Sequence, residues 1–360
     1  MQTISFMKSH RDKSILTLVF STLLSFNAMA QDVSEGSSYY LPKTAIEFSI
    51  MIEKTTQEPG DLCMYAERFL KKKDVATESG TAYRILNIKM GSKGIPDTAK
   101  VFKPAIDAKH SITSLKVDEQ GIIMGVNAEV DAPEPAAVFV PALKPAPLNA
   151  RDYLTQDILS AGSMAKMAEL TAQEIYDIRD SKSQLNKGQA DFMPKDGEQL
   201  RIMLNNLNTQ ETALLQLFEG TTVKDTVETV ITFVPEKATD EVLLFRFSAK
   251  FGLTDTDDLA GEPYYIKVED LHKTVSNTAT VEDVKKRSDD ANIYANLPGK
   301  IKVTLFKSDR ELATKEFYAA QFGKTLPLDN ELFGKKLFTS LIYNPVTGNI
   351  DTIKTEMVKK

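Results

Sequence analysis

The sequence predicts an α+β fold, and three observations support this prediction. Several segments alternate apolar and polar residues, as half-buried strands do, and a central region repeats apolar residues at helical spacing. The hydrophobic content of 42% is sufficient for packed cores, and the single cysteine excludes an internal disulfide. We therefore expect an N-terminal small α+β unit, a central helical hairpin and a C-terminal, mainly antiparallel β region, at residues 31–130, 151–220 and 221–360.

Residues 1–30 have the pattern of a secretory signal peptide. A basic start at 8–13 precedes an apolar run at 15–26, and Ala28-Met29-Ala30 offers small residues to a signal peptidase. The run has about 12 residues, whereas roughly 20 are needed to cross a bilayer. We expect cleavage after Ala30 and a periplasmic or secreted protein that is not membrane-spanning. A lipid anchor would need cysteine after the cleavage site, where Gln31 stands.

The N-terminal unit contains predicted strands around one short helix. Residues 45–54 alternate, which predicts a half-buried strand with Ile46, Phe48, Ile50 and Ile52 on one face. Pro59-Gly60-Asp61 opens a helix that reaches Leu70. The other predicted strands are residues 81–90, 112–118 and 122–126, the last two joined by a turn at 119–121.

Residues 131–150 are predicted to be a surface strap or linker. Five prolines lie between Ala132 and Pro147, and proline lacks the amide hydrogen that a helix or an interior strand needs. The apolar residues Val138, Phe139 and Val140 favour a strap, because a free linker does not need them.

Two long amphipathic helices are predicted at 163–184 and 196–218, and Gly220 is a natural stop. A polar, turn-rich segment between them makes a helical hairpin. We expect this hairpin to pack onto the C-terminal sheet, with Leu207 in the core.

The last third of the chain is predicted to consist mainly of strands. Their β-branched and aromatic composition marks residues 226–234, 241–248, 263–268, 299–306, 315–322 and 336–343. A turn at 344–349 separates the last two strands, and residues 273–296 are predicted to be a loop or an exposed helix.

The composition disfavours several classes of function. The net charge of −6 is spread along the chain, so no basic stripe is available for nucleic acid. Outside residues 1–30 only His110 and His272 remain, neither with a ligand-spaced companion, and both are expected at the surface. Cys63 is expected to be a small buried hydrophobe. We predict no metal site and no cofactor.

Two short motifs resemble catalytic signatures. Ser163-Met164-Ala165-Lys166 has the S-x-x-K spacing of serine acyltransferases, in which the lysine activates the hydroxyl. No K-T-G follows, and Ser163 after Gly162 suits a helix N-cap better. Gly323-Lys324-Thr325 ends like a P-loop, but Tyr318 stands where the first glycine belongs. We predict no catalytic residue.

Two features leave a ligand open. Asp255, Asp257 and Asp258 could hold a hard cation or form an acidic surface turn. The pairs Tyr39-Tyr40 and Tyr264-Tyr265 could stack on a sugar or peptide, although one buried and one exposed ring is the commoner arrangement.

Several segments together resemble a known family. They are Tyr39 to Thr44, Pro59-Gly60, Tyr65-Ala66-Glu67, Ile175 to Asp180, Asp257 to Pro263, Ala320 to Gly323 and the turn from Asn344 to Gly348. In this order they resemble the family catalogued as domain of unknown function 4831, exported proteins of Gram-negative anaerobes. The resemblance covers essentially the whole chain after residue 30. It implies export and an intact fold, and it implies no activity.

The sequence therefore favours an exported cell-envelope protein that is a non-catalytic binding or scaffolding module. Its partner would be an unidentified protein or glycan. The alternative is a carboxylate-based hydrolase acting on an envelope or extracellular glycan, because such chemistry needs only two convergent carboxylates. A wide cleft holding two such groups would favour the alternative.

Overall fold

The computed structural model describes residues 31–32, 38–104, 111–131, 137, 139–144, 148–275, 293–328 and 330–357. The predicted signal peptide, His110 and most of the segment 273–296 lie outside the described residues. Strands predominate over helices and every sheet is antiparallel between its named strands, in agreement with the predicted α+β class. No helix in the described part of the chain has the length and apolar character needed to span a membrane.

The elements are numbered in chain order. The strands are β1 (Gln31–Asp32), β2 (Tyr39–Glu58), β3 (Gly80–Phe102), β4 (Leu115–Val117), β5 (Ile123–Val126), β6 (Thr221–Phe233), β7 (Thr239–Ser248), β8 (Gly252–Thr254), β9 (Glu262–Thr274), β10 (Tyr294–Lys307), β11 (Arg310–Pro327), β12 (Leu337–Tyr343) and β13 (Ile350–Met357). The α-helices are α1 (Ala66–Leu70), α2 (Gln156–Leu159), α3 (Met164–Lys187) and α4 (Gly197–Glu219). Short 3-10 helices lie at Cys63–Tyr65, Ala150–Tyr153 and Asn330–Phe333.

The strands form three sheets. Sheet A has the order β1-β4-β5-β12-β13, sheet B the order β3-β2-β6, and sheet C the order β11-β10-β9-β7-β8. Sheets A and B each join strands from the predicted units 31–130 and 221–360, since β5 pairs with β12 and β2 with β6. Strand pairing thus connects these two segments of the chain, and periodicity could not predict this because it identifies strands and not their partners.

Strand β2 runs through two apolar cores and leads into a third. Tyr39 and Leu41 lie in a core with sheet A, whereas Ile46 to Ile52 face sheet C. The chain then turns, and Leu62 enters a helical core. The predicted strand 45–54 is confirmed, and the observed strand is longer at both ends.

The two long helices occupy the predicted positions, but the prediction that they pack onto the C-terminal sheet is wrong. Their buried residues pack instead on Leu62, Ala66 and Leu70, and the described part of this helical core contains no residue of sheet C. Leu207 is only half-buried. The reason is that the fully buried side chains of α4 are concentrated near its C-terminal end, at Ala213 to Phe218.

The described residues of the proline-rich segment form neither strand nor α-helix. Phe139 is half-buried, whereas Val140 and Leu143 are exposed; Val138 lies outside the described residues. The segment contacts β6 through an ion pair of 2.8 Å between Lys144 Nζ and Asp225 Oδ1. This contact fits a strap held by charge more than by apolar packing.

Candidate functional site

Ser163 caps α3, as predicted. Its Oγ accepts a hydrogen bond of 3.2 Å from the backbone N–H of Lys166. The Lys166 ammonium lies 3.2 Å from Glu169 Oε1 in an exposed ion pair. The hydroxyl and the amine of the S-x-x-K motif therefore have separate structural partners.

Gly323 lies inside strand β11 and not in a loop before a helix, which agrees with the rejection of a P-loop. A Cβ on this glycine would lie 1.8 Å from the carbonyl oxygen of Leu297 on the paired strand β10. Glycine is required there by the close approach of two backbones.

In each of the two tyrosine pairs, one ring is buried and the other is half-buried. Tyr39 is fully buried and its hydroxyl accepts a hydrogen bond of 3.0 Å from the Tyr294 backbone N–H. Burial raises the pKa of this phenol well above its ordinary value. Tyr264 is buried with its ring 4.5 Å from that of Phe245, whereas Tyr40 and Tyr265 are half-buried.

The aspartates of the acidic turn are exposed. The Arg246 guanidinium stabilises this loop by donating hydrogen bonds to the carbonyl oxygens of Thr256, at 2.8 Å, and Gly261, at 2.9 Å. Among the described residues, no group of three potential ligands is arranged to hold a metal ion. Asp255, Asp257 and Asp258 therefore lie exposed in a loop that the Arg246 guanidinium holds in place.

His272 is at the surface, as predicted, with its side chain 87% exposed and Nδ1 3.3 Å from Asp270 Oδ2. Cys63 differs from expectation. It is half-buried in the 3-10 helix, because the neighbouring residue Leu62 occupies the core position.

Three of the segments that carry the family resemblance meet at one place. The side chain of Gln321 forms two hydrogen bonds with the backbone of Thr44. Its Oε1 accepts from the Thr44 N–H at 3.0 Å, and its Nε2 donates to the Thr44 carbonyl at 2.8 Å. The Thr44 hydroxyl donates to the Val346 carbonyl at 3.0 Å and accepts from the Ala320 N–H at 3.1 Å. This junction joins sheet B, sheet C and the turn after β12.

A second polar centre adjoins the junction at a bulge in β3. Between the pairs Tyr40–Val101 and Pro42–Pro96 the ladder loses register, so the residues from Asp97 to Lys100 leave it. Asp97 is buried, and its carboxylate lies 3.9 Å from the ammonium groups of both Lys43 and Lys100. Bulges often re-aim side chains beside functional sites, so this cluster is a candidate.

The two lysines of the bulge differ in environment. Burial, the largest effect, lowers the pKa of Lys100, while Asp97 partly opposes the change. A hydrogen bond of 3.0 Å to Glu236 raises the pKa of Lys43.

The hydrogen bonds of this cluster hold several chain segments together. Asn296 is buried, and its amide donates to the carbonyls of Pro42 and Thr347 at 3.1 and 3.0 Å. Its Oδ1 accepts from Lys100 at 3.3 Å and from Thr325 at 2.9 Å. These groups satisfy one another. Sequence reasoning missed Asp97, Lys100 and Asn296, and the only signal was the resemblance of neighbouring segments.

A shallow concavity of about 390 Å³ lies between the distal parts of α3 and α4. We call it the hairpin-tip surface, lined by Ser181, Gln184, Leu185, Ala190, Phe192, Met203, Asn206 and Leu207. Phe192 is 88% exposed. Met193, the next residue in the sequence, and Ile202 and Met203 on α4 are exposed too. The surface is a concentration of apolar groups at the end of the hairpin.

A larger, polar concavity of about 630 Å³ lies at the base of the hairpin. We call it the lysine cleft, lined by Gln57, Lys71, Lys72, Lys73, Asp74, Val75, Glu219, Gly220 and Thr222. It is open to solvent and lies where the end of β2, the segment after α1 and the α4–β6 connection meet.

Comparison with known proteins identifies one family. A family model described as Domain of unknown function (DUF4831) matches residues 35–351. No curated protein and no solved structure matches the chain.

Proposed function

The chain belongs to the family described as Domain of unknown function (DUF4831), and we propose that it is an exported, non-catalytic binding module of the cell envelope. Export is supported by the signal-peptide pattern of residues 1–30. The mature protein then begins at Gln31 and is periplasmic or secreted. Mass spectrometry of the N-terminus in the native host tests this, and an intact Met1 contradicts it.

The binding role rests on the hairpin-tip surface. Exposed apolar patches are uncommon on soluble proteins and often mark interaction sites. Here an exposed phenylalanine, Phe192, borders a concavity whose lining includes Met203 and Leu207. Methionine is unbranched and adaptable, which suits a surface that receives a partner's side chain.

The position of this surface favours a protein partner. The helical core holds the hairpin mainly through residues of its base, such as Ala168, Leu214 and Phe218. The distal end can therefore be covered by another molecule without disturbing that core. We expect a partner protein that inserts an apolar side chain between α3 and α4.

The test replaces the apolar rim. In a Phe192→Ser/Met203→Ser variant, partner proteins recovered from the native envelope by quantitative affinity purification should fall about tenfold, because a few aromatic anchors carry most of the binding energy of an interface. The control is Phe251→Ser, a 58% exposed phenylalanine on the turn between β7 and β8. A partner retained by the tip variant, or lost equally from the control, contradicts the proposal.

A further inference from the structure

The walls of the lysine cleft are fixed by backbone contacts. The Leu62 N–H donates to the Leu217 carbonyl at 2.7 Å, and a Cβ on Gly60 would lie 2.2 Å from the same oxygen. Gly220 has φ +75°, and a Cβ there would lie 2.0 Å from the Glu58 carbonyl oxygen. Glycines at both positions let the chain segments meet closely, so the cleft is built into the fold.

One wall carries three consecutive lysines. Lys71, Lys72 and Lys73 are all exposed, within a protein whose net charge is −6. Lys71 has φ 59°, in the left-handed region that glycine fills more easily after a helix. Lysine therefore adopts at this helix end a backbone conformation that costs it more than glycine.

The carboxylates that pair with Lys72 and Lys73 are accessible to solvent. Lys72 pairs with Glu219, and Lys73 Nζ lies 3.6 Å from Glu67 Oε1. Lys71 Nζ donates to the Arg68 carbonyl at 3.2 Å. Exposed ion pairs contribute little to stability, so an incoming anion can replace these carboxylates at small cost.

The rest of the lining is mostly polar: it contains the neutral side chains of Gln57 and Thr222 and the acidic side chains of Asp74 and Glu219. Gln57 and Thr222 lie opposite each other in the β2–β6 ladder. Their amide and hydroxyl groups can both donate and accept hydrogen bonds, as sugar hydroxyls require. A lone phosphate would use the lysines and leave Gln57 and Thr222 unused, and a lipid would need more apolar lining than Val75.

We propose that the lysine cleft binds an acidic saccharide, with its anionic groups on Lys71 to Lys73 and its hydroxyls on Gln57 and Thr222. The volume of about 630 Å³ lies within the range of small-ligand sites. The cleft is separate from the hairpin-tip surface, so this inference goes beyond the proposed partner role.

The test is calorimetric titration of the full mature chain with trigalacturonate at low salt, where electrostatic attraction is least screened. Binding should be measurable, and the neutral galactotriose should bind at least about tenfold more weakly because it cannot use the lysines. Trigalacturonate affinity should fall about three- to tenfold in a Lys71→Ala/Lys73→Ala variant.

Three further variants isolate the cleft. Glu219→Gln releases Lys72 from its ion pair and should raise affinity about twofold. Lys335→Ala/Lys336→Ala removes two other exposed lysines and should leave affinity unchanged. The Phe192→Ser/Met203→Ser variant should also bind normally, which separates this inference from the proposed partner role.

Several results would overturn the inference. They are no binding of trigalacturonate, equal affinity for inorganic phosphate, an equal loss in the Lys335/Lys336 control, or weaker binding by Glu219→Gln. Binding of phosphatidylglycerol vesicles without binding of trigalacturonate would assign the lysines to a membrane surface instead.

Discussion

Glu211 connects the two long helices through charge. Its carboxylate is only 13% exposed and accepts hydrogen bonds from Arg179 Nε, at 2.6 Å, and from the Lys182 ammonium. Burial alone would raise its pKa, but the hydrogen bonds from Lys182 and Arg179 outweigh burial and hold the pKa below the ordinary value of 4.5. The ionised form is therefore favoured by folding.

Replacing Glu211 with Gln should destabilise the protein by about 1–3 kcal/mol at pH 7, since a charge-assisted pair of hydrogen bonds is lost. Because the folded pKa lies below the unfolded value, this stabilisation is present above about pH 4.5 and is lost as the pH falls through the folded pKa. Urea unfolding of both proteins at pH 7 and at pH 3 measures the change.

The control for this prediction is Glu198→Gln, which removes a fully exposed ion pair of 2.6 Å with Arg201 on the same helix. It should leave the unfolding midpoint nearly unchanged. A Glu211→Gln effect that is independent of pH, or no larger than that of the control, would show that the network contributes no net stability.

At the scale of elements, the helical hairpin has a buried base and an exposed tip. Leu214 is fully buried in the helical core, whereas Leu207, two turns earlier on α4, is half-buried at the edge of the tip concavity. The same residue type therefore contributes differently along one helix.

Leu214→Ala should cost about 2–5 kcal/mol, because its removal leaves a cavity that a packed core cannot fill. Leu207→Ala should cost about 1 kcal/mol or less, since its side chain already contacts solvent. Thermal and urea unfolding of the two variants compare these values. Equal costs would mean that the tip is as tightly packed as the base.

The sequence predicted which segments are strands and helices much better than it predicted where they go. Alternation around Ile50 identified β2, and Ser163 identified the start of α3. Nothing local indicated that β2 pairs with β6, because ladder bonds join backbone groups that every residue carries. The polar cluster around Asp97 and Asn296 gave no motif, because its side chains come from segments that lie far apart in the sequence.

Across the molecule, β2 contributes side chains to two of the three apolar cores and leads directly into the third. It supplies Tyr39 to the core with sheet A and Phe48 to the core with sheet C. Thr44 lies between them in the sequence, and its hydroxyl hydrogen-bonds to Val346 in the turn after β12 and to Ala320 in β11. Neither of these two cores can lose β2 without exposing apolar surface in the other.

We therefore expect one cooperative unfolding transition. The chain contains no tryptophan, so single substitutions Tyr294→Trp, Phe322→Trp and Tyr153→Trp would each report on one core. The three fluorescence transitions should coincide in urea, as two-state unfolding requires. Separate midpoints would show that the cores unfold as independent units.

The central position of β2 also constrains the order of events when the chain is made. Thr44 and Gln321 are 277 positions apart, yet they bind each other in the finished structure. The N-terminal part of the chain is synthesised first, so the β2–β3 ladder can close early. The edge of β2 that β6 will occupy stays open until much later. Open edges invite pairing with other chains. This edge closes only when Thr221–Phe233 pairs with β2.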